Sequence, residues 1–398
     1  MTDYIKYALE LYQEGTRTKA QIAREVKTKF NLDANVETLR KRISEKILQQ
    51  EHSGLKDECD NTGTPIMGVS QYWVKTKTHS ALVKVSQEEY AQSILDAVSD
   101  IVSNYNPDKL RTIQKEKITS PVAIKATVSD MHVGLEPNPG GTSLFAYEYN
   151  ETIFKQNLDK VFNSLCKEYD NHGRFDILVI DDLGDGLDGW NGQTTRGGHP
   201  LDQNMSNEEM FRVFVEGKLA LIENCIKAGI ANEVIVRNVA NDNHSGSFAS
   251  IANMTIQMLL NRTYSDKDVK FYILNRFMEH FQYGDHTFIL THGKDAKHMF
   301  KGLPYNLNDK AVSFINDYID HYNINTKYIH VEKGDLHRIG YDRTKKFDYR
   351  NYMTFAPPSA WVSHNFGDCY SGYSIQTIPK FSGEISHTDY YFDLKKKL

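Results

Sequence analysis

Cysteine is scarce: the 398 residues hold four, at positions 59, 166, 225 and 369, with no Cys-x-x-Cys pair. That spacing supports neither a zinc ribbon nor a disulfide framework, and free thiols are expected. Long apolar runs are missing too. No segment approaches the roughly 18 consecutive apolar residues of a membrane-spanning helix, so no membrane association is expected. The first residues, MTDYIKYALELYQEG, include acidic side chains and no apolar signal core, so the expectation is an intracellular, cytoplasmic protein. Internal repeats and low-complexity segments are absent. What is present is globular: 40% hydrophobic, 25% charged and 11% aromatic residues, with 23 Tyr, which excludes a mainly disordered chain. The length suits a large catalytic domain with a smaller appendage.

A net charge of −5 hides an asymmetry. Residues 1–50 hold ten Lys and Arg against seven Asp and Glu, so the acidic excess lies in the rest of the chain. A basic head on an acidic body suggests that one part holds a polyanion and another holds cations. Histidine is equally uneven, with eleven of fifteen between His132 and His337. That stretch is where metal chemistry is expected.

Residues 1–50 read as three short helices. Ile5, Leu9 and Tyr12 recur at helical spacing before Gly15. Thr18 opens a capping box with Gln21, and Ile22, Val26 and Phe30 mark the buried stripe of a second helix. Asn35 caps a third, with Leu39, Ile43 and Ile47 facing inward and Arg40, Lys41, Arg42 and Lys46 facing outward. This order resembles a helix-turn-helix unit, whose third helix would enter a DNA major groove. The competing reading is a solvated charged face on a small helical bundle or dimerisation element, with which a homodimer is compatible. Residues 51–118 read as a connector: a hairpin within Tyr72 to Val85, a helix from Ser86 to Asn104, a stop at Asn106-Pro107 and a linker. Residues 119–398 then form the main domain.

In that domain a short apolar run ends in Asp, Asn or His beside a small residue five times. The runs are Ala123–Val128 before Asp130-Met131-His132, Ile177–Ile180 before Asp181 to Asp188, and Val234–Val239 before Asn241-Asp242-Asn243-His244. Phe288–Leu290 before Thr291-His292-Gly293 and Tyr328–Val331 before Gly334-Asp335-Leu336-His337 complete the series. In α/β sheets, ligands bind beyond the carboxyl ends of strands. Five polar clusters at such ends therefore point to one shared site.

The order of these clusters resembles that of the calcineurin-like metallophosphoesterases: Asp-x-His, Gly-Asp-x-x-Asp, Gly-Asn-His-Asp/Glu, His-Gly and Gly-His-x-His. The resemblance implies an α/β fold in which two sheets form a sandwich flanked by helices, here preceded by the small helical head. It also implies that Asp130, His132, Asp185 and His337 hold one metal. Asp185 would bridge to a second, held by Asn243, His292 and Asp335, with His244 as the catalytic histidine. Three residues depart from the pattern: Asp242 replaces a glycine, Ser245 an acidic residue, and Asp335 the first His of Gly-His-x-His. The usual acidic partner of His244 is thus missing from its place, and Asp242 is a candidate to substitute from the other side. His330 is read either as a displaced ligand or as a strand-face histidine.

Carboxylates, imidazoles and one amide suit Mn²⁺ best, with Mg²⁺, Fe or Zn²⁺ as alternatives. Two such ions activate a water and clamp phosphoryl oxygens. His244 would supply the proton to the leaving group, or else support a ligand by hydrogen bonding. The long polar stretch from Gly189 to Asn204 is expected to overhang the metals. In it, Arg196 would pair with a phosphate, Trp190 would stack on a base or pack beneath the loop, and His199 would touch the leaving group. Lys294 is a second candidate phosphate contact. The tail from Tyr341 onward is expected to complete the second sheet. The leading expectation is a nuclease-type phosphodiesterase acting on DNA, similar to the DNA-repair exonuclease branch of that superfamily. The two modules together would suit a phage or mobile-element genome. The alternatives are a phosphomonoesterase or protein phosphatase, and a DNA-binding regulator with an inactive phosphoesterase domain.

Overall fold

The computed structural model describes residues 3–13, 17–44, 46, 71–75, 80–84, 87–105, 111–294, 302–367 and 369–394, with the backbone alone for 71–75, 80–84, 87–91 and 366. Contacts divide the chain into two units, Met1–Ser86 and Gln87–Leu398.

In the first unit, α1 (Asp3–Gln13), α2 (Lys19–Lys29) and α3 (36–44) bury Ile5, Ala8, Leu9, Ile22, Val26, Leu39 and Ile43 in one apolar cluster. The Thr18–Gln21 capping box forms, which satisfies two orphan N–H groups of α2. Asn35 caps α3 by accepting from the Glu37 N–H at 2.9 Å. Arg40, Lys41, Arg42 and Lys46 are exposed, and Arg40 pairs with Glu37 at 2.6 Å. Ile47 lies outside the described residues. Strands β1 (Gln71–Lys75) and β2 (Ser80–Lys84) pair antiparallel where the hairpin is expected.

The second unit begins earlier than residue 119. Helix α4 (Gln87–Asn104) buries Ile94, Ala97 and Ile101 in the core of the large domain, and Asp100 pairs with Arg212 of the later helix α6 (Asn207–Lys227) at 2.7 Å. The apolar stripe read as part of a connector is thus committed to the main domain. The stop at Asn106-Pro107 lies outside the described residues.

All five apolar runs are strands: β3 (Val122–Val128), β4 (Phe175–Asp182), β5 (Ala231–Val239), β8 (His286–Thr291) and β9 (Tyr328–Lys333). With β6 (Val269–Leu274), β7 (Glu279–Tyr283), β10 (Gly340–Arg343), β11 (Asp348–Asn351), β12 (Gly372–Pro379) and β13 (Ser386–Tyr391) they build two sheets. One has the order β13-β12-β3-β4-β5-β6, the other β10-β11-β9-β8-β7. Strands β3 to β6 are mutually parallel, as are β8, β9 and β11. The tail contributes to both sheets: β10 and β11 extend the second, whereas β12 pairs antiparallel with β3 in the first. Both faces of β12 are buried, so its alternating pattern does not mark a solvated face.

Side-chain parity sorts these sheets into layers. Ile124, Ala126, Leu178, Ile180, Val234 and Val236 face helices α4, α5 (Glu151–His172), α6 and α7 (Ser247–Thr263). Ala123, Ile177, Val179 and Val239 meet Phe288 and Leu290 between the sheets. Ile289, Ile329 and Val331 face Ala311, Ile315 and Ile319 of α8 (Asp309–His321). The architecture is therefore an α/β sandwich of two sheets flanked by helices. No helix among the described residues is long and apolar enough to cross a membrane.

Candidate metal centre

The parallel strands β3, β4 and β5, with β8 and β9 from the second sheet, deliver their carboxyl ends to one place. Loop backbones continue the ladder there, since Asp130 N–H donates to Gly184 O at 3.0 Å and His132 N–H to Asp185 O at 2.9 Å. Asp130, His132, Asp185, Asp335 and His337 all have positive φ, between 40° and 70°. They make up five of the eight such non-glycine residues among those described. Each costs of order 1–3 kcal/mol, so the surrounding bonds hold these side chains inward against local preference. Gly184 (φ 103°) is needed for close approach: a Cβ there would lie 2.9 Å from His292 Nδ1 and 3.1 Å from Asp242 Cβ.

Two groups of donor atoms result. In the first, His132 donates through Nδ1 to Asp188 Oδ1 at 3.0 Å, which leaves its Nε2 lone pair inward, 3.2 Å from His337 Nε2. Asp130 Oδ1 lies 3.3 Å from His337 Nε2 and 4.0 Å from His132 Nε2. In the second, His292 donates through Nδ1 to Leu183 O at 2.9 Å, and its Nε2 faces Asp185 Oδ2 at 3.0 Å, Asn243 Oδ1 at 3.1 Å and Asp335 Oδ1 at 3.9 Å. All seven residues expected from the sequence as ligands thus converge. Within the cluster, Asp130, His132 and His337, and likewise Asp130, Asp185 and His292, lie close enough to share an ion.

Carboxylates and imidazoles buried together shift one another strongly. Burial opposes ionisation of Asp130, yet His337 beside it holds it down to about 2. Burial likewise works against an imidazolium at His292, but Asp185, Asp130 and Asp335 lift it to about 10. Burial and neighbouring His244 push His132 down, which keeps it neutral, as a ligand must be. Asp130 Oδ1, Asp188 Oδ2 and His337 Nδ1 are buried without hydrogen-bond partners. Buried polar atoms are normally paired, so the orphaned Asp130 Oδ1, which faces the Nε2 atoms of His132 and His337, fits a bound cation. Carboxylate, imidazole and amide donors are the matching chemistry.

Asp188 and Asp242 go beyond the expected set. Asp188 Oδ1 accepts from both His132 and His244, the latter through Nδ1 at 3.2 Å. It is the acidic partner that His244 lacks in its own loop. Burial disfavours the His244 imidazolium, but Asp185 and Asp188 raise it to about 9. Asp242 does not touch the His244 ring. Its carboxylate accepts N–H bonds from Asp185 (3.1 Å), Ser245 (2.9 Å) and Gly246 (2.7 Å), and Ser245 Oγ accepts from Leu187 N–H at 3.3 Å. The two unexpected residues therefore brace the loops that carry Asp185, Asn243 and His244. The sequence signal for Asp188 was its place three residues after Asp185; for Asp242 it was the departure from the motif's glycine, which did not reveal the bracing contacts. Lys333 is a further surprise, buried beside the ligands with Nζ donating to Gly334 O at 2.8 Å; burial pushes its ammonium down to about 8, against the pull of Asp335 and Asp130.

The remaining expectations divide. Arg196 sits at the edge of the centre, donating to Lys294 O at 2.5 Å and Asn241 Oδ1 at 2.9 Å. Trp190 is half-buried and packs edge-on against Phe248 at 4.6 Å, on the apolar core beneath the loop. His199 is exposed, and its backbone N–H bonds Thr194 Oγ1 rather than anything in the centre. Lys294 contributes its carbonyl to Arg196. His330 is a strand-face residue, 3.2 Å from His286 Nδ1 and 3.4 Å from Asp348, away from the ligands.

The chain matches no protein-family description, and no curated protein matches it in sequence. Among solved structures it is similar to wild-type Vps29 complexed with zinc from Entamoeba histolytica, at 10% identity and TM-score 0.29, over 68% of this chain and 99% of that one. It is similar to a predicted phosphoesterase from Streptococcus pneumoniae (11%, TM-score 0.25, 68% and 98%). An archaeal phosphodiesterase gives 10% and TM-score 0.31 over 68% and 99%.

Proposed function

We propose that the protein is a metal-dependent phosphodiesterase of the calcineurin-like kind and that its substrate is DNA. The observation that carries this reading is the convergence of carboxylate, imidazole and amide groups from five strand ends, with the buried Asp130 Oδ1 left without a hydrogen-bond partner among them. Asp130, His132, Asp185 and His337 would hold one divalent ion; Asp185, Asn243, His292 and Asp335 would hold the other. Such ions supply Lewis acidity toward phosphoryl oxygens and make water a nucleophile near neutral pH. Asp335 in place of an imidazole shifts the second set toward oxygen donors and toward Mn²⁺.

The chain's own residues supply the rest. Asp188 fixes the His244 ring through Nδ1, which leaves Nε2 as the proton-delivering atom for the leaving oxygen. The backbone N–H of His244 donates to Asp185 Oδ1 at 2.8 Å, which ties acid and ligand into one rigid unit. Asp242 and Ser245 have a bracing role in this structure, so the departures that favoured an inactive domain have a constructive explanation. DNA is supported by the exposed Arg40, Lys41, Arg42 and Lys46 on and just beyond α3.

The test is hydrolysis of bis(p-nitrophenyl) phosphate and of labelled single- and double-stranded DNA, with EDTA, Mn²⁺, Mg²⁺ or Zn²⁺, beside Asp185→Asn. Mn²⁺-dependent cleavage that disappears in the variant is expected. Cleavage by Asp185→Asn at the wild-type rate would refute the shared-ligand role, and DNA binding without turnover under any metal would favour a binding protein.

A further inference from the structure

An open cleft of about 340 Å³ borders the metal centre. Thr195, Arg196, Asn241, Ser247, Ser250 and Asn275 line it. Two backbone bonds tie it to the loop of the candidate acid: Thr195 N–H donates to His244 O at 2.9 Å and Arg196 N–H to Asn243 O at 3.1 Å. Asp242 also borders the cleft, but its carboxylate is buried and already accepts three N–H bonds. Arg196 is therefore the charged group that the lining offers to a ligand. Its guanidinium is held in place by Lys294 O and Asn241 Oδ1, which use two of five N–H donors. Fixing it beforehand reduces the ordering cost of binding an anion. Apart from Ala240 and Gly246, the other lining side chains are hydroxyls and amides, matched to sugar oxygens rather than to an apolar side chain. The volume lies at the lower end of small-ligand sites, the scale of one sugar-phosphate unit.

We infer that this cleft receives the leaving group of the substrate, a sugar bearing a second phosphate, and that Arg196 meets that phosphate. The inference rests on the phosphoesterase reading, because it places the leaving oxygen at His244. A group bonded through that oxygen runs along the Asn241–His244 loop and enters the cleft. A phosphorylated serine or a simple phosphomonoester has no second anion for Arg196, so the cleft selects an internucleotide-type diester within the phosphoesterase class.

Calorimetric titration of the full chain in Mn²⁺ with thymidine 5′-monophosphate, thymidine 3′-monophosphate and thymidine 3′,5′-bisphosphate tests this. The bisphosphate is expected to bind on the order of tenfold to a hundredfold tighter than either monophosphate, the range of charge-assisted hydrogen bonds. In Arg196→Gln that ratio should collapse toward one, and Arg196→Lys should keep part of it. Equal affinities in the wild type, or a preference that survives Arg196→Gln, would overturn the assignment. Hydrolysis of bis(p-nitrophenyl) phosphate by the same sample reports on the underlying reading. Turnover without a bisphosphate preference sinks the cleft assignment alone; a preference without turnover supports the anion cleft and overturns the phosphoesterase reading.

Discussion

Asp188 accepts from two histidines with one oxygen, so it sets the tautomer of a candidate ligand, His132, and of a candidate acid, His244, at once. Removing the His244 ring alone leaves the ligand cluster with all its members. His244→Ala is therefore expected to slow phosphodiester hydrolysis by about 10²–10⁴ with metal content unchanged. Loss of metal in that variant, measured by elemental analysis, would recast His244 as structural support. Asp242 acts one step further back, through the N–H of Asp185. An amide in its place cannot accept at both positions, so Asp242→Asn should lower Mn²⁺ affinity on the order of tenfold to a hundredfold while far-UV circular dichroism stays native. An unaltered Mn²⁺ isotherm would rule out this bracing role.

At the scale of elements, the two sheets meet across a layer that is not wholly apolar. Parity puts Lys125 of β3, Asp181 of β4, Arg237 of β5 and Glu332 of β9 between them, and all four are buried. Lys125 pairs with Glu332, Tyr352 donates to the same carboxylate at 2.9 Å, and Arg237 grips Asp181 with two bonds. Burial pushes the Lys125 ammonium down, against the opposing pull of Glu332 and Asp181. Glu332→Ala would leave that cation underpaired inside the sandwich. A loss of about 3–5 kcal/mol in unfolding free energy is expected from urea titration. A change within about 0.5 kcal/mol, typical of a surface substitution, would show that Asp181 and water suffice.

At the scale of the molecule, a basic three-helix unit and an acidic two-sheet unit share one chain. If the first delivers the second to DNA, Arg40, Lys41 and Arg42 act through phosphate charge. Their joint replacement by alanine should weaken DNA binding and reduce the slope of log affinity against log salt by about 3, one unit per lost contact. An unchanged slope in fluorescence anisotropy would assign these residues to an ordinary solvated face.

Much of this organisation is legible in the chain itself. The five strands and the shared site at their ends follow from apolar runs ending in Asp, Asn or His, because a buried strand and a polar cluster at its end are both local patterns, whereas the seven particular side chains were implied by the resemblance in motif order. The Thr18 capping box and the helix ending at Asn104 are local as well, since caps and 3.6-residue periods are written within a dozen residues. Tertiary structure alone decided what depends on meetings between distant segments. It gave His244 its acid from a loop 56 residues away, turned Asp242 from a departure into a brace, and packed Trp190 edge-on against Phe248. It also placed α4 with the main domain, split the tail between two sheets and let charged side chains cross the sandwich. Periodicity marks which face of an element is buried, but the partner waiting on that face is set only when the layers close.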